Sequence, residues 1–111
     1  MLINNGDFNF EVKSLPKEVQ FSPIYAITTA DFDKDGDLDM LLGGNLNGVM
    51  PEFGRYDASF GNYLENLGNN NFKHHVTGKG IKINGEIRDI KVIGNKIFIA
   101  KNNNPLEVYK F

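Results

Sequence analysis

The most informative stretch of the sequence, residues 31–39, reads Asp31-Phe32-Asp33-Lys34-Asp35-Gly36-Asp37-Leu38-Asp39. Five of them are aspartates, spaced two residues apart. Their carboxylates repel one another, so a compact turn of this composition is destabilised unless a cation neutralises it. Ca²⁺ suits such a turn, because it takes about six to eight oxygen ligands, which carboxylates and backbone carbonyls can supply.

The spacing gives each aspartate an expected role in a calcium loop. Asp31, Asp33 and Asp35 stand at loop positions 1, 3 and 5 and are expected to supply side-chain oxygens. The glycine at position 6 permits a sharp turn, because glycine readily adopts a positive φ. Asp37 is expected to offer its backbone carbonyl while its side chain faces water, and Asp39 is expected to complete the ligand shell. The sequence therefore predicts one Ca²⁺ site formed by these five residues.

An EF-hand begins in the same way but differs after the glycine. It needs a bidentate glutamate at position 12, where this chain has Leu42, and it needs a helix on each side. The flanking residues 24–29 and 38–42 are short and apolar, and the first segment is rich in β-branched and aromatic residues, which is typical of strands. We therefore predict that the loop joins the two strands of a β-hairpin. The simplest alternative is a solvated Asp-Gly turn that binds no metal.

Length, charge and composition restrict the classes of function. The chain has 111 residues, which corresponds to one small domain, and its net charge is −2. The chain has no cluster of lysine and arginine of the kind that forms a nucleic-acid surface. It also has no apolar run that approaches the roughly 20 residues of a membrane span. Cysteine is absent, which excludes disulfides and thiolate chemistry. No signal peptide opens the chain, so we expect that any export signal lies upstream of it.

An internal repeat organises the strands. Residues 30–45 match residues 88–103 at a gapless offset of 58, and residues 2–10 match residues 64–72. The predicted strands cover residues 1–4, 8–13, 24–31, 38–43, 62–66, 71–76, 86–93, 96–101 and 106–111. A period of about 60 residues then holds four antiparallel strands, which is the content of a β-propeller blade.

The second copy of the loop differs in its ligands. At the gapless offset, Asp33, Asp35 and Asp39 are replaced by Lys91, Ile93 and Ile97. The sequence therefore predicts one metal site and not two. Four phenylalanines alternate within predicted strands and are assigned to the core between blades: Phe8, Phe10, Phe72 and Phe98.

Residues 30–45, ADFDKDGDLDMLLGGN, resemble the FG-GAP or VCBS repeat. This repeat is the calcium-binding blade motif of the integrin α-subunit propeller and of many bacterial surface and secreted proteins. The resemblance implies an all-β fold of antiparallel four-stranded blades, with about two and a quarter blades in this chain. Residues 1–22 would end one blade, residues 23–80 would form the calcium-binding blade, and residues 81–111 would form a degenerate blade.

The resemblance also implies a function without catalysis. We expect a structural Ca²⁺ site in a module for extracellular or cell-surface adhesion or ligand recognition, with a protein or glycan as partner. The chain is expected to be a C-terminal segment of a longer propeller, or to complete one by self-assembly. The alternative is a carbohydrate-binding module, or the non-catalytic part of a larger polysaccharide-acting enzyme.

The longest predicted connection, residues 45–61, carries the candidate ligand contacts, because binding residues concentrate on long loops. They are Glu52, Arg55, Tyr56 and Asp57. An ordered crossover, in which Arg55 and Asp57 pair with each other, is the alternative interpretation of these residues.

Overall fold

A computed structural model describes residues 1–44, 61–75 and 83–111. The strands of these residues are β1 (Leu2–Asn4), β2 (Phe10–Val12), β3 (Ile24–Ala30), β4 (Asp39–Gly44), β5 (Asn62–Asn66), β6 (Phe72–His75), β7 (Ile87–Ile93), β8 (Lys96–Lys101) and β9 (Glu107–Lys110). A short 3₁₀ helix, Lys17–Gln20, lies between β2 and β3. The predicted all-β class is confirmed, and each predicted strand end lies within about two residues of the observed one.

The strands form three antiparallel sheets. Their strand orders are β1-β2, β3-β4-β5-β6 and β7-β8-β9. The middle sheet is a meander in which each strand pairs with the next one along the chain, as predicted for residues 24–76. None of these sheets closes on itself within the described ranges.

The hydrophobic core lies between the four-stranded and the three-stranded sheet. The first strands of the two sheets, β3 and β7, lie side by side. Close approach is possible because Gly43 on β4 has no side chain: a Cβ there would lie 2.9 Å from Cβ of Ile87. The buried residues of this core are Ala26, Leu41, Tyr63, Ile83, Ile87, Ile90, Ile97 and Ile99.

The assignment of four phenylalanines to this core is wrong. Phe8 is 98% exposed and Phe10 is 53% exposed. Phe72 and Phe98 are half-buried and do not belong to the core cluster. Alternation along a strand shows which residues share a face of the sheet, but it does not show which face another sheet covers.

The hairpins β1–β2 and β5–β6 are structural copies of each other at an offset of 62. Gly6, Asp7 and Phe8 have φ angles of 87°, 50° and 59°, and Gly68, Asn69 and Asn70 have 88°, 52° and 56°. The strand registers also correspond, because Leu2 pairs with Val12 and Leu64 pairs with His74. The predicted repeat of residues 2–10 in residues 64–72 is therefore confirmed.

The gapless offset of 58 for the other pair of hairpins is wrong. Residues 31–38 separate β3 from β4, whereas only Gly94 and Asn95 separate β7 from β8. Both first strands have a β-bulge near their start, after Ile24 and after Ile87, which gives an offset of 63. The second hairpin thus lacks the aspartate loop, because two residues stand where the first hairpin has eight.

Candidate metal centre

The aspartate loop, defined as residues 31–38, curls around the side chain of Asp31. The backbone N–H of Asp35 donates to Oδ1 of Asp31 at 3.1 Å, and the N–H of Gly36 donates to Oδ2 at 3.0 Å. Gly36 has a φ of 98° and Lys34 a φ of 65°, which turn the chain sharply. The expected turn at Gly36 is confirmed, and the carboxylate of Asp31 holds it closed.

Three of the predicted ligands come together. Asp31, Asp33 and Asp39 each offer a carboxylate oxygen, and these oxygens all lie within 4.8 Å of one another. Two oxygens on opposite sides of one Ca²⁺ are separated by about 4.6–5.2 Å, twice the usual bond length. The group therefore fits around a single hard cation. Asp39 is fully buried, and the other two side chains are half-buried.

The other two predicted ligands lie on the exposed part of the loop. Oδ1 of Asp35 accepts a hydrogen bond of 2.9 Å from the N–H of Asp37. The side chain of Asp37 is exposed, as expected for a residue that offers only its carbonyl. Neither carboxylate belongs to the group formed by the other three aspartates.

Asp39, the first residue of β4, is held in place by three hydrogen bonds. Its Oδ2 accepts from the N–H of Phe32 at 3.2 Å and from the hydroxyl of Tyr63 at 2.7 Å. Its Oδ1 accepts from the N–H of Asn66 at 2.8 Å. Hydrogen bonds of this kind orient a carboxylate before a metal binds and so favour binding in a single geometry.

The environment of Tyr63 keeps its hydroxyl protonated. Burial, together with the hydrogen bond to Asp39, raises the pKa of Tyr63 above its usual value. The ring packs edge-on against Phe32, at a centroid distance of 6.0 Å, and Phe32 packs against Phe111 at 4.8 Å. One residue of the aspartate loop is thus anchored in the core, which restricts the positions of the carboxylates on either side of it.

Tyr63 and Asn66 were not identified from the sequence. Both lie on β5, separated from Asp39 by 24 and 27 positions. Asn66 begins the turn that repeats residues 4–9, so the sequence indicates a local role in that turn. Its contact with the loop depends on the pairing of β4 with β5 and has no local signal.

The candidate ligand contacts in the long connection stay a prediction. Glu52, Arg55, Tyr56 and Asp57 lie outside the described residues.

Comparison of the chain with protein-family models, curated proteins and solved structures returned no match. The resemblance to the FG-GAP or VCBS repeat therefore rests on residues 30–45 alone. In the part of the chain that the structure describes, no helix has the length and apolar character to span a membrane.

Proposed function

We propose that the aspartate loop binds one Ca²⁺ ion, which stabilises the β3–β4 hairpin of a propeller-type adhesion or recognition module. The observation that carries this proposal is the group of three carboxylate oxygens from Asp31, Asp33 and Asp39, all within 4.8 Å of one another. The role of the ion is structural, because it offsets the repulsion among these side chains and holds the ends of the loop together.

The chemistry of the donors favours calcium over other cations. The group contains carboxylates only, and hard oxygen donors select Ca²⁺, Mg²⁺ or Mn²⁺ over softer transition metals. Mg²⁺ demands a nearly ideal octahedron at about 2.0–2.1 Å and gives up its water reluctantly, whereas Ca²⁺ accepts irregular shells. Asp35, the carbonyl of Asp37 and water are the proposed remaining ligands.

The architecture supports a propeller-type arrangement of the sheets. A four-stranded antiparallel meander packs against the next sheet, and the first strands of both sheets lie side by side. The copied hairpins β1–β2 and β5–β6 indicate a repeated blade. Stacked repeats cover one another's apolar faces, so we propose that the chain belongs to a longer propeller or completes one by self-assembly.

We propose that the module acts outside the cell or at its surface, without catalysis, and binds a protein or a glycan. The loop's resemblance to FG-GAP or VCBS repeats supports this role. Calcium-binding modules of extracellular proteins bind Ca²⁺ with dissociation constants of about 10⁻⁴–10⁻³ M. An ion bound this weakly remains in place only where free calcium is abundant.

Differential scanning calorimetry with calcium and with excess chelator tests the metal site. At about 10 mM Ca²⁺, a dissociation constant of about 10⁻⁴–10⁻³ M stabilises the protein by about 1.4–2.7 kcal/mol. We expect the melting temperature to rise by about 5 °C or more. The same concentration of Mg²⁺ should give a much smaller rise. Equal melting temperatures in calcium and in chelator would contradict the proposed function.

A further inference from the structure

Asn66 joins the aspartate loop to the β5–β6 turn. Its side-chain Nδ2 donates to the carbonyl of Leu38, the last residue of the loop, at 3.2 Å. Its side-chain Oδ1 accepts from the N–H of Gly68, in the turn, at 3.1 Å. Its backbone N–H donates to Asp39. One buried side chain therefore touches both elements, while the backbone of the same residue holds a proposed metal ligand.

The β1–β2 hairpin, which is the copy of β5–β6, has the equivalent hydrogen bond in its turn but in a more exposed environment. Oδ1 of Asn4 accepts from the N–H of Gly6 at 2.9 Å, which reproduces the bond between Asn66 and Gly68. Asn4, however, is exposed and belongs to the separate two-stranded sheet β1–β2. The β1–β2 turn thus forms in a sheet that contains no aspartate loop, so the loop is not needed for a turn of this type.

The β5–β6 turn also lies close to the aspartate loop and contacts the N-terminal segment. Oδ2 of Asp37 lies 3.8 Å from the position that a Cβ on Gly68 would take. On the other side, Nζ of Lys13 donates to the carbonyl of Asn69 at 3.1 Å and to Oδ1 of Asn71 at 2.8 Å. The turn therefore lies between the aspartate loop and the segment that follows β2.

We propose that Asn66 is a positioning residue of the metal site, through which occupancy of the aspartate loop tightens the β5–β6 turn. This inference rests on the proposed calcium site. An ion that fixes the loop also fixes the carbonyl of Leu38, which holds the amide of Asn66. The same amide group then holds the N–H of Gly68, so the turn that binds Lys13 opens less often when the loop is occupied.

The substitution Asn66→Ser tests this role, and Asn4→Ser is its matched control. Serine keeps a side-chain oxygen that can support the turn but lacks the amide donor to Leu38. Mutation of residues that hold metal ligands in place typically lowers metal affinity by about 10–100-fold. We therefore expect the calcium dissociation constant of Asn66→Ser to rise about ten-fold in isothermal titration calorimetry. Asn4→Ser should stay within about two-fold of the wild type, because Asn4 belongs to the separate sheet β1–β2 and its side chain supports only the turn of that hairpin.

Amide hydrogen exchange in the wild type gives a second readout. The N–H groups of Leu67 and Asn71 close the β5–β6 turn, and those of Asn5 and Asn9 close its copy. We expect calcium to slow exchange at the first pair more than at the second. In calcium-saturated Asn66→Ser, this selective slowing should be lost.

The outcomes separate this inference from the proposed function. A wild type that binds no calcium contradicts both. If the wild type binds calcium and Asn66→Ser binds it as tightly as Asn4→Ser does, only the role of Asn66 is contradicted. If calcium slowed amide exchange equally in both turns of the wild type, the role of Asn66 would also be contradicted. This second test does not require the variant to fold.

Discussion

The hydroxyl of Tyr63 donates a 2.7 Å hydrogen bond to Oδ2 of Asp39, and both side chains are buried. This bond links β5 to Asp39, the first residue of β4, which directly follows the aspartate loop. A buried carboxylate needs such donors in the absence of a cation, because an uncompensated charge in the interior is strongly unfavourable. The fold therefore supplies part of the site from outside the loop.

Replacing Tyr63 by phenylalanine should destabilise the protein even in chelator. The ring stays in place, but Asp39 loses one donor, and hydrogen bonds to charged groups contribute about 1.5–3 kcal/mol. Urea unfolding followed by circular dichroism measures the loss. Tyr109→Phe is the control, since its hydroxyl donates to the partly exposed Glu107. Equal free energies of unfolding for the two variants would contradict a special role for the buried bond.

Replacing Asp33 by asparagine should have opposite effects with and without calcium. In chelator, the variant should be at least as stable as the wild type, because one of three mutually repelling carboxylates is neutral. In calcium, it should be less stable, because the proposed ion would lose a charged ligand. Thermal unfolding under both conditions checks the sign of each change.

Asp7→Asn is the matched control for this experiment. Asp7 lies in the β1–β2 turn, and the equivalent residue of the β5–β6 turn is already an asparagine, Asn69, with nearly the same φ. Its stability should respond to calcium as the wild type does. A calcium response that is unchanged in Asp33→Asn would remove this aspartate from the ligand set.

Replacing Gly43 by alanine should weaken the packing between the two larger sheets. The added Cβ would lie 2.9 Å from Cβ of Ile87, so β4 or β7 must shift. Overpacking of this kind typically costs about 1–3 kcal/mol of stability, which chemical denaturation can measure. Ala100 occupies the corresponding position of β8 and is exposed, so Ala100→Gly should cost less than about 1 kcal/mol.

Stability should fall at alkaline pH, in part because of Tyr109. Burial and the hydrogen bond to Glu107 raise the pKa of Tyr109 above the usual value of about 10. The folded state thus holds this proton more tightly than the unfolded chain. The resulting stabilisation is complete below about pH 10 and is lost as the pH rises through the higher pKa of the folded state. Free energies of unfolding should therefore decline less steeply above about pH 10 in Tyr109→Phe than in the wild type. Identical slopes would contradict this assignment.

The positions of the strands were predictable because their signals are local. Alternating or continuous apolar residues bounded by glycine and asparagine specify short strands and turns without knowledge of the rest of the chain. The turn at residues 67–70 and its copy at residues 5–8 follow the same local rule. The group formed by Asp31, Asp33 and Asp39 was also predictable, since all three belong to one closely spaced pattern.

The connections of the β3–β4 and β7–β8 hairpins differ in length, which is why a gapless alignment of the two hairpins is wrong. A two-residue turn and an eight-residue loop can close hairpins with the same strands, so strand similarity does not determine loop length. Sequence comparison aligned Asp31 with Asp89, which lies within β7 in the structure. The register of a hairpin is set by its pairing and bulges, and these become visible only in three dimensions.

The strands, the turns and an oxygen-rich loop able to attract a hard cation follow from local sequence patterns. Three features depend on the tertiary structure: Asp39 is buried, Tyr63 and Asn66 hold it, and isoleucines take the core positions that were assigned to four phenylalanines of the predicted strands. Local patterns specify which side chains share a strand face or a turn. Burial and hydrogen-bond partners depend on contacts between residues far apart in sequence, which form only when β5 pairs with β4 and the sheets pack together.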